Sequence, residues 1–437
     1  MTSEIVVMNR SAVAMAADSA VTIDFGKDAD GRPSRKVFND ANKLFALSKT
    51  DPVGIMVYSS SAFMGVNWEL IIKWYREKRK GVSFDTLEEY VTDFFQTIGE
   101  DEDLFPREIR VNALLNDLCS FYHGMMLTKI EEEIEKQTED EGKELGEYQI
   151  KRICTPIIKE VLNESSNSDF IKGFDEERII GLQGKYSDII DKATEEVFKK
   201  IPLSKAASTD LRNIALNLFS REIFPENYYS GVVIAGFGKK EPHPSYYEIV
   251  VSSCIFDNTL KHKMLGSSSC RDHTSVIKPF AQKEMVFTFM DGIDPEIRKF
   301  LEQYIGKICA ELPDKIAGLF NFGNNENKKA ARDRINGITE KIKEGLAKNL
   351  DGIKEQYSSP IVKLVNALSK LELANMAESL VNLTSFKRHI TTAEETVGGP
   401  IDVAVISHGD GFVWINRKYY FKPELNQRLI AEYYKGE

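Results

Sequence analysis

The order in which strand-like and helix-like patterns follow one another limits the fold of this chain more than any other feature. Short apolar runs at EIVVM and AVAMAAD are separated by Asn9-Arg10-Ser11, polar residues typical of a hairpin turn. KLFAL and VGIMVYS predict two further strands, joined by a turn at Thr50-Asp51-Pro52. Residues 1–60 are therefore expected to form a β-sheet.

Helical spacing replaces the strand pattern after Ser61. Apolar residues three and four apart run through AFMGVNWELIIKWYREKRK, and again through SFDTLEEYVTDFFQTI behind a cap at Ser83 or Asp85. Strand patterns return at YYSGVVIAGFG, SYYEIVVSSCIF and EMVFTFMDG, and a helix is predicted from Pro295. IVKLVNALSKLELANMAESLVNLTS predicts one further helix, and Asp410-Gly411 between alternating runs predicts a C-terminal hairpin.

Two helical tracts interrupt this order. Residues 100–228 read as a long, charge-rich helical tract, and residues 323–358 read as a smaller one. We interpret both as insertions into a core made of residues 1–99, 229–322 and 359–437. The core order of strands, two helices, strands, two helices and strands predicts an α+β fold, in which helices pack on the outer faces of two antiparallel sheets.

Composition narrows the class of function. A net charge of -10 argues against a nucleic-acid partner, because such partners need a basic surface that neutralises phosphates. No signal-peptide pattern and no long apolar run occurs, so we expect a cytoplasmic protein that does not bind a membrane. The five cysteines and six histidines are scattered without ligand spacing, so we expect neither a metal site nor a cofactor.

Three separated segments carry a resemblance to a known family. The opening EIVVMNRSAVAMAADSAVT is similar to the first hairpin of proteasome β subunits and of the bacterial HslV protease, where a Thr at the mature N-terminus precedes an acidic motif. NKLFAL with VGIMVYSSSAFMG resembles the family's lysine strand and substrate-lining strand. TTAEETVGGPIDVAVISHGDGFVWI resembles its C-terminal segment, and GVVIAGFGKKEPHPSYYEI its central hairpin.

The resemblance implies a four-layer αββα sandwich of the N-terminal-nucleophile (Ntn) hydrolase type. Thr2 would be the nucleophile, since Asp18 follows it at the separation that the family uses. Lys43 would be the catalytic lysine. Lys36 competes for that role, but the register to the following strand favours Lys43.

Further site residues follow from the same alignment. Glu394 would orient the Thr2 amine, and a backbone amide at Ser59 or Ser60 would bind the oxyanion and the substrate. The sequence departs from the family in having Glu394 where an Asp is usual and Val397 where a Ser is usual. It also lacks the family serine that aligns near Gly292.

The chemistry of the site depends on Met1. If Met1 is removed, the α-amine of Thr2, with an ordinary pKa of about 8, can take the hydroxyl proton and return it to the leaving amine. Lys43 would stabilise the developing alkoxide, and Asp18 would pair with Lys43. If Met1 is retained, the amine is blocked and the fold has no catalytic base.

We therefore expect a threonine peptidase or amidase that acts on peptides or unfolded protein. Family members assemble as rings, so the resemblance implies a homo-oligomeric ring and allows an ATPase unfoldase as a partner. Two alternatives remain: a catalytically inactive structural or regulatory subunit of proteasome type, and an Ntn amidase for a small molecule. Thr2 has no catalytic role in the inactive subunit, and it remains the nucleophile in the small-molecule amidase.

Overall fold

The chain combines antiparallel sheets with many helices and is therefore of the α+β class, as predicted. The structure, a computed structural model, describes residues 3–27, 33–225, 229–319, 325–390 and 398–434. Its strands are β1 (Ser3–Asn9), β2 (Val13–Ala17), β3 (Val21–Lys27), β4 (Pro33–Phe38), β5 (Leu44–Ala46), β6 (Val53–Tyr58), β7 (Ala62–Phe63), β8 (Val66–Asn67), β9 (Tyr229–Gly236), β10 (Ser245–Phe256), β11 (Thr259–Ser269), β12 (Ser275–Ala281), β13 (Asp402–Ser407) and β14 (Gly411–Asn416).

The helices include two long ones in the second half of the chain. In order they are α1 (Trp68–Lys78), α2 (Leu87–Glu100), α3 (Arg107–Tyr122), α4 (Thr128–Glu141), α5 (Glu147–Ser166), α6 (Glu176–Phe198), α7 (Lys205–Ser220), α8 (Glu284–Asp291), α9 (Pro295–Leu319), α10 (Asn325–Ala367), α11 (Lys370–Ile390) and α12 (Gln427–Tyr434). A π-helical turn, His123–Leu127, joins α3 to α4.

Contacts divide the chain into two units. The first consists of Met1–Ala41 and Ser269–Glu437, and the second is Asn42–Ser268. Each unit contains a five-stranded sheet, in the order β12-β1-β2-β13-β14 in the first and β11-β10-β9-β6-β5 in the second. The pairings of β1 with β2 and β12, and of β9 with β6 and β10, are antiparallel.

The N-terminal hairpin forms where its apolar runs predict it. Strands β1 and β2 pair from Glu4 opposite Ala17 to Met8 opposite Val13. Asn9 closes the turn, since its Oδ1 accepts a hydrogen bond from the Ser11 amide at 3.0 Å. The Asn9 side-chain amide also donates to the carbonyl of Leu368 at 3.0 Å, which ties the hairpin to the chain after α10.

Helix α11 covers one face of the first sheet. Ile5 and Val7 of β1 and Ala14 and Ala16 of β2 lie on that face, because alternate residues of a strand share a side. They pack against apolar residues of α11: Leu373, Ala374, Ala377, Leu380 and Val381. The residues of the opposite face, such as Val6 and Met8, are also completely buried.

Two predicted elements of the first unit are wrong. The segment EMVFTFMDG is helix α8, not a strand, because a short apolar run fits a buried helix as well as a strand. The single helix expected from Ile361 is two helices, since α10 ends at Ala367 and α11 begins at Lys370. Ser369 and Glu372 start α11 by exchanging hydrogen bonds between side chain and backbone.

Helices α1 and α2 cover one face of the second sheet. Their aromatic and aliphatic residues, including Trp68, Tyr75 and Phe94, pack on Ile55 and Ile234 of the strands. The N-cap of α2 is Thr86, not the predicted Ser83 or Asp85. Thr86 forms a capping box with Glu89: the Glu89 amide donates to the Thr86 hydroxyl and the Thr86 amide donates to the Glu89 carboxylate.

The helices α3 to α7 have a hydrophobic core of their own. Leu118, Tyr122, Ile158 and Leu211 are among its buried residues, and Phe256 of β10 joins them. These helices occupy most of the tract of residues 100–228 that the sequence assigns to an insertion. Among the residues that the structure describes, no helix is both long and apolar enough to cross a bilayer.

Candidate active site

Asp18 lies directly after β2 and is only 1% exposed. Its carboxylate accepts hydrogen bonds from three backbone amides: Ser3 at 3.0 Å, Ala20 at 3.2 Å and Gly398 at 3.1 Å. Hydrogen bonds to an ionised acceptor are the stronger kind, and burial removes competing water. Asp18 therefore holds three separate parts of the first unit at one point.

One of these parts is the start of β1. The amide of Asp18 donates to the carbonyl of Ser3 at 3.1 Å, while the amide of Ser3 donates to the Asp18 carboxylate. Thr2 itself lies outside the described residues. Ser3, its neighbour in the chain, is nevertheless fixed on both sides of its backbone by Asp18.

Another part is the glycine pair, Gly398 and Gly399. The carbonyl of Gly398 accepts from the Ser19 amide at 3.1 Å, and the Ser19 hydroxyl donates to the carbonyl of Pro400. Gly399 has a φ of +75°, and a Cβ there would lie 2.9 Å from the Cβ and the carbonyl oxygen of Asn39. Both the backbone conformation and the close approach require glycine.

Glu394 and Val397 precede this pair and lie outside the described residues. The prediction that Glu394 orients the Thr2 amine therefore stays a prediction. Gly292, near which the resemblance leads one to expect a serine, ends helix α8 with a φ of +71°. Tyr357 packs so closely there that a Cβ would come within 2.6 Å of its ring.

Lys43 belongs to the second unit and is 4% exposed. It immediately precedes β5, and its carbonyl accepts a hydrogen bond from the Val57 amide of β6 at 3.0 Å. Lys36, the competing lysine, is exposed on β4, where its Nζ lies 4.9 Å from the centre of the Phe38 ring. A buried lysine is rarer and costlier than an exposed one, and the choice of Lys43 over Lys36 as the catalytic lysine stays a prediction.

Ser59 and Ser60 follow β6 in the same unit. Ser59 has a φ of +70°, a left-handed conformation that is uncommon for a residue with a Cβ. The Ser60 amide donates to the Tyr58 carbonyl at 3.1 Å, and its hydroxyl donates to the Ala62 carbonyl at 2.6 Å. Because the Ser60 amide already has an acceptor, the Ser59 amide is the better candidate for an oxyanion donor.

The structure thus brings Ser3, Asp18, Ser19 and Gly398 together in the first unit, and it places Lys43, Ser59 and Ser60 near the ends of β5 and β6 in the second. The sequence patterns do not assign Ser19 to the site. Its place after A-A-D is the only sequence signal that could have suggested such a role. Among the described residues, no three His, Cys, Asp or Glu side chains are grouped so that they could hold a metal ion.

Comparison with known proteins does not assign the chain to a family. No protein-family model matches the chain, and no curated protein matches its sequence.

Proposed function

We propose that this chain is a threonine-type peptidase or amidase of the Ntn class, with Thr2 as its nucleophile. The observation that carries the proposal is the double hydrogen bond between Asp18 and Ser3. Through these hydrogen bonds Asp18 fixes the backbone beside Thr2. Asp18 is the acidic residue that the resemblance to proteasome β subunits assigns to the site.

In the proposed reaction the Thr2 hydroxyl oxygen attacks the carbonyl carbon of an amide. The hydroxyl proton passes to the α-amine of Thr2, which later gives it to the departing amine as the C–N bond breaks. The acyl group remains on Thr2 as an ester. Water then attacks the ester, its proton passes to the same amine, and the acid is released while Thr2 recovers its hydroxyl.

The other residues have electrostatic roles in this proposal. The Lys43 ammonium stabilises the alkoxide as it forms, and its positive charge favours the neutral form of the nearby amine. The Ser59 amide donates to the oxyanion of the tetrahedral intermediate. Glu394 orients the amine, as the resemblance implies.

The same proposal includes the four-layer αββα arrangement. Each five-stranded sheet has helices on one face and buried residues on the other, as Val6 and Met8 show in the first sheet and Met56 and Val233 in the second. We further propose a homo-oligomeric ring, peptides or unfolded protein as substrates, a cytoplasmic location and an ATPase unfoldase as a partner. These four points rest on the resemblance.

Two measurements on the full chain test the nucleophile. Intact mass should show quantitative loss of Met1, and a covalent inhibitor that targets N-terminal threonine should label the protein once. Thr2→Ala should abolish labelling and turnover, and Thr2→Ser should keep both. Thr50→Ala is the matched control because Thr50 is an exposed threonine in a turn, and it should behave like the parent protein.

The same measurements separate the alternatives. Quantitative retention of Met1 overturns the proposed nucleophile and favours an inactive subunit, and labelling that survives Thr2→Ala overturns it because another residue then carries the label. If Thr2 is labelled but no member of a peptide library is cleaved, a panel of small N-acyl amides tests the small-molecule amidase.

A further inference from the structure

A second candidate site lies within the second unit, among the helices of the tract between α2 and β9. A cavity of about 440 Å³, partly open to solvent, is lined by the first half of α3, the middle of α6 and the turn between β10 and β11. Cavities of this volume are typical of sites for small ligands. None of the residues proposed for amide hydrolysis lines it.

The turn that forms one wall is held in a specific conformation. Asp257 and Asn258 both have a left-handed backbone, with φ values of +48° and +57°. Two consecutive left-handed residues make a tight turn of the type that favours Asp and Asn. The amide of Asp257 donates to the hydroxyl of Tyr186 on α6 at 3.1 Å, so the turn is tied to the helix that forms another wall.

Ion pairs neutralise the carboxylate of this turn. Arg178 donates to Asp257 Oδ2 at 2.7 Å, and Lys185 donates to Oδ1 at 2.5 Å. Asp257 is therefore satisfied by two cations from α6. The remaining charged groups of the cavity wall are Arg107 and Arg110 of α3 and the exposed Glu102.

Arg110 is rigid and nearly buried, at 8% exposure. Its guanidinium donates to the carbonyls of Phe105 and Asp101 at 2.7 and 3.0 Å, and to Asn258 Oδ1 at 2.7 Å. These bonds use three of the five N–H groups that an arginine carries, and all three acceptors are neutral. None of these three described bonds goes to a carboxylate, although the carboxylates of Glu102 and Asp101 lie near enough to act on the guanidinium charge; burial lowers the pKa of Arg110.

Arg107 adds a second cation at the first residue of α3. The N-cap residue, Pro106, has no side-chain hydrogen bond to the first turn. The helix therefore presents its positive end beside the two arginines. Val111, Leu114, Ile189 and Ile255 are the aliphatic side chains of the wall, which also includes Pro106, Tyr186 and Asn258.

We propose that this cavity binds a small amphipathic anion, with its acidic group at Arg107 and Arg110 and its apolar body against Val111, Leu114 and Ile189. A carboxylate with an aliphatic or aromatic body has this chemistry. The fixed guanidinium recognises the charge, and the apolar wall excludes ligands that carry charge at both ends. The site is independent of the proposed hydrolase activity, since none of its residues belongs to that machinery.

Calorimetric titration of the full chain with decanoate, below its micelle concentration, tests this inference. We expect saturable binding of one decanoate per chain, and weaker binding of decanol and of acetate, because each of these lacks one half of the recognised chemistry. Arg107→Gln should weaken decanoate binding by about tenfold or more, the effect of losing one charged contact. Ile189→Trp should block it by filling the apolar end.

Arg152→Gln is the matched control, since Arg152 is another exposed arginine of the helical tract and does not line the cavity. It should leave decanoate binding unchanged. Thermal melting of each variant checks that it folds. Absence of saturable decanoate binding, equal binding of decanol, or binding that is insensitive to both Arg107→Gln and Ile189→Trp overturns the site.

Discussion

Asp18 and Ser3 hold each other in both directions, because the Ser3 amide donates to the Asp18 carboxylate at 3.0 Å and the Asp18 amide donates to the Ser3 carbonyl at 3.1 Å. The same carboxylate accepts from Gly398, which is 380 positions away in the chain. One buried side chain therefore fixes the residue after Thr2 and the residue after the segment that contains Glu394. In the proposed enzyme, Asp18 therefore helps to position both the nucleophile, Thr2, and the segment that contains Glu394.

Replacing Asp18 with asparagine should damage both stability and activity. The substitution removes the negative charge and turns one acceptor into an NH₂ group that faces a backbone amide. We expect unfolding to be easier by about 1–3 kcal/mol, the cost of an unsatisfied buried donor. Amide hydrolysis should fall about a hundredfold, because a small displacement of a nucleophile is costly.

Urea unfolding and the turnover of a fluorogenic peptide measure the two effects of Asp18→Asn. Asp333→Asn is the control, since Asp333 is an exposed aspartate of α10. Full activity in a folded Asp18→Asn protein would contradict the role given to this carboxylate.

Ser59 should tolerate glycine better than valine. Its φ of +70° costs a residue with a Cβ about 1 kcal/mol or more, and the cost is largest for a β-branched side chain. We expect Ser59→Gly to keep or raise the melting temperature and to keep activity, because the backbone amide, not the hydroxyl, is the proposed oxyanion donor. Ser59→Val should lower both.

The comparison between the two Ser59 variants needs only thermal melting and one peptide substrate. If Ser59→Gly folds normally but loses turnover, the hydroxyl takes part in the reaction and the assignment to the amide is wrong.

Gly399 should not accept alanine. A Cβ at this position would stand 2.9 Å from the carbonyl oxygen of Asn39, and the φ of +75° adds backbone strain. We expect Gly399→Ala to destabilise the protein by about 1–3 kcal/mol, measured by urea unfolding. Gly409→Ala is the control, because a Cβ there meets nothing within 4 Å and Gly409 has no left-handed φ; equal stability of the two variants would contradict this account.

The sequence predicts best those features that depend on residues close together in the chain. Alternation predicts the hairpin of β1 and β2, and the Asp410-Gly411 turn predicts the pairing of β13 with β14. The separation between Thr2 and Asp18 predicts a catalytic site from one short segment, and that site stays a prediction. The choice of Lys43 over Lys36 rests on strand register and stays a prediction.

Features that depend on distant residues could not be predicted in this way. Nothing near Asp18 in the sequence indicates that Gly398 supplies one of its hydrogen bonds, and nothing near Gly399 indicates the close approach of Asn39. The apolar run of helix α8 has no clear period, so the sequence alone predicts a strand there. The sequence does not predict strands β11 and β12, because lysines, serines and a proline interrupt their alternation.

Lys261 should make stability depend on pH. It is buried on β11, where burial lowers its pKa from 10.5 to about 8, with Asp117 and Cys254 as the nearby titratable groups. Its ammonium donates to the carbonyl of Leu218 in the last turn of α7 and to that of Ile223 just beyond the helix, each at 2.6 Å. Lys261→Met removes both the charge and these hydrogen bonds.

The sign of the pH effect follows from proton counting. Below pH 8 Lys261 is charged in the folded and the unfolded chain, whereas between pH 8 and 10.5 only the unfolded chain keeps the proton. Raising the pH through this window therefore favours the folded state, by about 3 kcal/mol at about 1.4 kcal/mol for each pKa unit. Urea unfolding at pH 7 and pH 10.5 should show the parent protein gaining this much relative to Lys261→Met. Lys263→Met, at an exposed lysine paired with Glu222, should show no such gain, and a constant difference between parent and Lys261→Met would mean that Lys261 titrates as an ordinary lysine.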